Sequence, residues 1–311
     1  MILKAPVQNG LACYVFAEAV EEAGLPPGVV NVLVADARES ERLVTHPGVD
    51  KVSFTGSTPV GKRIAELCGR DIRRVTLELG GKSAAIMLDD VDVDKAVPGI
   101  VACSVAMLQG EICTAQSRIL APLARYDEIV DALAEQIAAL PVGDPADRDM
   151  VIGPMITRAH RERVEDYIRI GAEEGATVRV GGGRPAHLDR GWYVEPTLFA
   201  DATNDMRVAR EEIFGPVAVV IPHDGVDDAI AIANDSPFGL SGTVWTEDED
   251  AALAVARRVR TGTIALNTYT VDPDTPFGGY KESGIGREMG REGLDGYVEL
   301  KSVAVSGPSL G

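Results

Sequence analysis

Residues 51–61, Lys51-Val52-Ser53-Phe54-Thr55-Gly56-Ser57-Thr58-Pro59-Val60-Gly61, set the fold class. The run up to Phe54 has the β-branched and aromatic character of a strand, and Gly56-Ser57 that of a turn. Thr58 suits the N-cap and Pro59 the first helical position, so a helix is predicted to start near Pro59. Strand, glycine turn and helix in that order leave free amides at the positive end of a helix, where a phosphate can sit. Read alone, the turn is more often an ordinary strand-to-helix junction.

Toward the amino terminus the same rhythm continues. Ile2-Leu3 is apolar, and a helical stretch from about Leu11 to Ala23 is ended by Gly24 with Pro26 and Pro27 beyond. A β-branched run, Val29 to Val34, and a short helix around Glu39 to Val44 lead back to Lys51. Downstream, Arg74 to Glu78 is the next strand. Strands and helices alternating at this spacing predict an open α/β sheet with parallel strands and right-handed crossovers. Because the chain starts inside a strand, half of a nucleotide-binding sheet is expected.

After Gly80-Gly81 the helices lengthen. One carries Ile129, Leu133, Ile137 and Leu140 on one face, and another runs through Val164 and Ile168. Strands at Val217 to Ile221, Thr243 to Trp245 and Thr263 to Leu266 alternate with helices at about Asp227 to Asn234 and Asp250 to Val259, a second α/β unit. Tyr297 to Val305 lies outside that rhythm, with Val298, Leu300 and Val303 alternating loosely with polar residues. The chain holds no internal repeat and no low-complexity tract.

The 311 residues are 45% hydrophobic, sufficient for two cores. Lys and Arg number 30 against 48 Asp and Glu, a net charge of −18 that repels nucleic acid and anionic lipid. No apolar stretch is long enough to cross a bilayer, and no secretory signal opens the chain. Cys13, Cys68, Cys103 and Cys113 lack the spacing of a zinc site, so no metal is expected, and they read as free thiols in the cytoplasm.

Two residues carry candidate chemistry. Glu78, in Leu77-Glu78-Leu79-Gly80-Gly81-Lys82-Ser83, ends an apolar strand where the chain leaves the sheet. It is either a turn carboxylate or, if buried, a base with raised pKa. Cys113, in Gln109-Gly110-Glu111-Ile112-Cys113-Thr114-Ala115, is either packing or a nucleophile. His46, His160, His187 and His223 occupy no partner motif, which makes Glu78 the better candidate base for a thiol nucleophile.

These motifs and three later ones occur together in one order. The later ones are Glu211-Glu212-Ile213-Phe214-Gly215-Pro216, Asn234-Asp235-Ser236-Pro237-Phe238-Gly239-Leu240 and Pro276-Phe277-Gly278-Gly279-Tyr280-Lys281-Glu282-Ser283-Gly284. Over essentially its whole length the chain resembles the aldehyde dehydrogenase superfamily. The resemblance implies a partial Rossmann-like parallel sheet over 1–80, a catalytic α/β domain over 81–294 and an oligomerisation strand and tail over 295–311. It implies Cys113 as nucleophile, Glu78 as base and NAD or NADP as cofactor. Lys4, Gly56, Ser57, Gly61, Leu79, Glu212 and Phe214 match cofactor-binding positions. Asn267 matches an asparagine that lines the active site, and a purely structural role for it stays open.

The implied reaction oxidises an aldehyde to an acid through a Cys113 thiohemiacetal and thioester, in a homo-oligomer. Three departures accompany the resemblance. An amino-terminal region that supplies an oxyanion asparagine and an oligomerisation hairpin is absent. Val7 stands where the family often has a ribose-binding Glu, leaving NAD and NADP both open. Glu111 stands where Gln is usual. Two other functions remain at this point: a catalytically silent homologue serving as a structural or oligomerisation module, and a cofactor-free thiol esterase.

Overall fold

The structure, a computed structural model, describes residues 1–307. Its strands are β1 (Ile2–Ala5), β2 (Asn31–Val34), β3 (Lys51–Thr55), β4 (Arg74–Glu78), β5 (Ala84–Met87), β6 (Arg118–Pro122), β7 (Thr177–Val180), β8 (Thr197–Ala200), β9 (Val217–His223), β10 (Gly242–Trp245), β11 (Ala265–Leu266) and β12 (Gly284–Ile285). Its principal helices are α1 (Gly10–Glu22), α2 (Ala37–Val44), α3 (Thr58–Arg70), α4 (Val93–Val101), α5 (Tyr126–Ala138), α6 (Arg158–Glu173), α7 (Arg207–Arg210), α8 (Val226–Asn234) and α9 (Glu249–Ala256). The chain is α/β, as expected.

Short polar side chains start several of these helices. Asp36 accepts from the Arg38 and Glu39 amides at 3.0 and 3.1 Å, and Thr157 from the His160 amide at 3.1 Å. The cap of α3 is Ser57, one residue before the Thr58 expected, and its side chain makes no capping bond.

The first four strands do not form one sheet. β1 pairs with β2 and β3 with β4, both in parallel, but the first pair stands as a separate ladder. β2 alternates exposed and half-buried residues, so no continuous apolar face draws the two ladders together. The second ladder gains β12, antiparallel to β4 with Gly284 opposite Glu78.

The larger sheet runs β11-β10-β5-β6-β9-β8-β7, parallel except for β7. Period-two alternation splits its side chains between two cores. Ile86, Leu120, Val217, Val219 and Ile221 pack with α6, α8 and α9, while Met87, Ile119, Ala218 and Val220 pack with α4 and α5. Burying a side chain such as Leu133 of α5, fully covered here, stabilises by about 1.5–3 kcal/mol.

Tyr297 to Val305 carries no strand among the described residues, and Val298, Leu300, Val303 and Val305 are exposed. A strand exists only where a neighbouring strand takes its backbone bonds, and this segment pairs with none among the described residues. It is anchored by the Tyr297 ring, 3.5 Å from Lys51 Nζ, and by Arg74, which donates to the Val298 carbonyl and to the Glu299 carboxylate, both at 2.8 Å. The last residues of the expected tail, 308–311, lie outside the described residues.

Candidate active site

Sheet order assembles the site. Gly80 to Ser83 leads into β5, Gly110 to Ser117 into β6 and Glu211 to Pro216 into β9, and these three strands are neighbours. Three motifs far apart in sequence therefore meet at the amino ends of adjacent strands, while Glu78 arrives from the carboxyl end of β4. The carboxyl-end rule for ligands in α/β folds accounts for Glu78 alone.

Two glycines make the junction possible. A Cβ on Gly81 would lie 2.3 Å from the Cys113 carbonyl oxygen, and one on Gly80 2.2 Å from Glu212 Oε2. The Gly81 amide donates to Glu212 Oε1 at 2.9 Å. Backbone of the first motif thus touches both the Cys113 loop and the Glu212 side chain.

Glu78 is buried at 2% exposure, and neither carboxylate oxygen has a hydrogen-bond partner. Burial, with the Glu288 carboxylate adding and Arg287 opposing, pushes its pKa up to about 8. Cys113 is half-buried. Burial first, then Glu212 and more weakly Glu78, raise its thiol to about 11, while the amides of Cys113 and Thr114 pull it down. Both carboxylates therefore act on the sulfur electrostatically. In the resting site the thiol is protonated at neutral pH.

The loop holding Cys113 is strained. Leu108, Gln109 and Gly110 take φ of 49°, 44° and 71° in succession, left-handed backbone that only the glycine adopts without penalty. Gly110 has a second reason to be glycine: a Cβ there would lie 2.1 Å from the Gly215 carbonyl oxygen. Phe214, also left-handed at φ 63°, stands partly exposed on that facing loop.

At the α3 turn, Gly56 donates its amide to the Glu78 carbonyl at 3.0 Å, which ties the candidate phosphate site to the strand bearing the candidate base. A Cβ on Gly61 would meet Leu79 Cδ2 at 2.4 Å, so these two residues fix the helix against the same strand. Lys4 lies in the separate β1–β2 ladder, opposite Leu33. Asn267 has both side-chain atoms engaged by one residue: Oδ1 accepts from the Thr246 amide at 2.9 Å and Nδ2 donates to the Thr246 carbonyl at 2.8 Å. That arrangement is a backbone clamp.

Lys82 was passed over in the sequence. Its side chain is buried, and burial lowers its pKa to about 7, with Arg118 adding and Glu212 and Glu211 opposing. Ser283 was passed over too. It bonds the Gly80 carbonyl at 2.7 Å and accepts from the Gly239 amide at 3.0 Å, joining the two late motifs to the first. A Lys following Gly-Gly at a strand end was the only available signal for the former, and nothing local marks the latter. Among the described residues no cluster of His, Cys, Asp and Glu could hold a metal ion, and no helix is long and apolar enough to cross a membrane.

Comparison with known proteins gives one consistent result. A family profile described as the aldehyde dehydrogenase family matches residues 1–303. Geranial dehydrogenase of Castellaniella defragrans is 52% identical over 307 residues, covering 99% of this chain and 64% of that protein. Betaine aldehyde dehydrogenase of Rhizobium johnstonii is 44% identical over 312 residues, covering 98% and 63%. A crystal structure of Mycobacterium tuberculosis aldehyde dehydrogenase complexed with NAD+ superposes with a TM-score of 0.97 at 47% identity, covering 99% of this chain and 64% of that one. The chain thus spans just under two thirds of the length of these relatives.

Proposed function

The chain belongs to the aldehyde dehydrogenase family, and from that premise we propose that it carries the catalytic machinery of an NAD(P)-dependent oxidation of an aldehyde to a carboxylic acid. The observation that supports this reading best is the meeting of Cys113, Glu78 and Glu212 around Gly80-Gly81.

The residues fit a dinucleotide. Ser57 leaves its hydroxyl and the first amides of α3 uncommitted, and Gly56 and Gly61 let the turn and helix pack against Phe54 and Leu79. Lys4, Gly56, Ser57, Gly61 and Leu79 would hold the adenosine and phosphate portion, and Glu212 and Phe214 the nicotinamide end. When bound, the nicotinamide supplies the hydride acceptor. Solved relatives in complex with NAD+ favour NAD as the cofactor.

Cys113 loses its proton to solvent and its sulfur adds to the carbonyl carbon, forming a C–S bond and, from the carbonyl π bond, an oxyanion. The Cys113 and Thr114 amides, which act on the sulfur, would be the donors to that oxyanion. Hydride then leaves the same carbon with its electron pair, giving a thioester on Cys113. Glu78 takes a proton from water, the hydroxide adds to the thioester, and the C–S bond breaks to release the acid and regenerate the thiol. The sum is aldehyde, water and NAD(P)+ to acid, NAD(P)H and a proton.

Cys113 and Glu78 are thus the catalytic pair, and Asn267 serves the fold through its two bonds to Thr246. The same reading takes the protein to be cytoplasmic and homo-oligomeric, the latter supported by the exposed apolar side chains of Tyr297 to Val305. The test is NAD(P)H absorbance with a panel of aldehydes and both cofactors, on this chain and on a chain lengthened at its amino end to the relatives' length. Oxidation by either that is lost in Cys113→Ala supports the proposal. No oxidation by the lengthened chain, or turnover by its Cys113→Ala form, overturns it.

A further inference from the structure

Glu111, the departure from the usual Gln, acquires a place in the structure. Its Oε2 accepts from Gln109 Nε2 at 2.9 Å within the Cys113 loop. Its Oε1 reaches across to the start of α6, accepting from the Ile156 amide at 3.4 Å and standing 3.5 Å from His160 Nε2. A carboxylate is favoured there by the positive end of the helix. The same His160 Nε2 lies 2.5 Å from the Phe214 carbonyl oxygen. A carbonyl only accepts, so Nε2 carries the proton, and that N–H is shared between the Phe214 carbonyl and the Glu111 carboxylate. One turn further along α6, Arg163 donates to the Glu212 carbonyl at 2.7 Å.

The two loops so joined are the ones that touch at Gly110 and Gly215 and that both hold left-handed, non-glycine backbone. Strained backbone persists only where its surroundings hold it. We propose that Glu111 and His160 form a bracket, anchored on α6, that fixes the spacing between the Cys113 loop and the Phe214 loop, with His160 a positioning residue for the transfer from the Cys113-bound carbon. The proposal rests on the roles given above to Cys113 and Phe214. It assigns Glu111 a function that Gln at that position fulfils only as an uncharged acceptor.

The test is amide hydrogen exchange, read by mass spectrometry on the full chain without aldehyde or cofactor. His160→Ala is expected to speed exchange about tenfold in both 109–115 and 212–217. Glu111→Ala should loosen the same two segments. His160→Gln, whose amide nitrogen reaches the same carbonyl, should restore both. Faster exchange confined to the first turn of α6, His160→Gln as loose as His160→Ala, or no change at 212–217 in Glu111→Ala overturns the bracket. Coupled loosening in a protein whose lengthened form oxidises no aldehyde refutes the proposed function and leaves the bracket standing, whereas oxidation without coupled loosening does the reverse.

Discussion

Glu78→Gln changes the pH dependence of stability in a direction the burial of this carboxyl dictates. The group rises from the ordinary carboxylate range to about 8 in the folded chain. Between those two values the folded state binds the proton that the unfolded state has lost, so raising the pH removes stability. The contribution is whole below the unfolded pKa and is lost as pH climbs through the folded one. Taking about 4.5 and 8 as limits, the ionised side chain costs about 1 kcal/mol near pH 5, about 2 near pH 6 and about 5 near pH 9. Gln has no proton to lose and nearly the same shape. The variant should therefore gain on the natural chain steadily as pH rises, by about 4 kcal/mol between those outer values. Urea unfolding of both proteins across the range measures the difference. A gap that stays constant with pH, or closes on the alkaline side, refutes the claim that Glu78 is a desolvated carboxyl.

Four other outcomes follow from the same geometry. Glu212→Gln keeps an acceptor for the Gly81 amide but removes the largest charge acting against the Cys113 thiolate, so alkylation by iodoacetamide at mildly alkaline pH should quicken ~3–10-fold. Gly81→Ala places a Cβ against the Cys113 carbonyl, which is backbone and has little freedom to move, and should lower stability by about 1–3 kcal/mol in denaturant titration. Asn267→Ala should cost about 1–3 kcal/mol through the two lost Thr246 bonds while leaving the alkylation rate of Cys113 unchanged. Sedimentation of a chain ending before Tyr297 should show weaker self-association than the full chain, since the exposed edge segment is gone.

Local sequence signals located the elements well where periodicity was strong. α5 follows the Ile129-Leu133-Ile137 face, β4 matches Arg74 to Glu78, and α3 starts within a residue of its expected position. β5 and β6 were missed because Ala84 to Met87 and Arg118 to Pro122 are short runs buried on both faces, without the alternation that marks a half-exposed strand. The site was legible as motifs and not as geometry. No propensity places Gly81 against Cys113, or Ser283 against Gly80, since these contacts depend on β5, β6 and β9 being neighbours and on β12 returning to β4. Resemblance named Asn267, whereas the role its side chain takes, clamping Thr246, required coordinates.

The central claim, that Cys113 and Glu78 work as one unit in successive steps, is tested most directly by intact-protein mass spectrometry. The Glu78→Gln protein is mixed with an oxidisable aldehyde and NAD(P)+, in the shortest form that shows turnover when Glu78 is intact. The account predicts one NAD(P)H released per chain, a covalent acyl adduct mapping to Cys113, and slow release of acid thereafter. Rapid, continuous turnover with no adduct, or an adduct on any other residue, would contradict it.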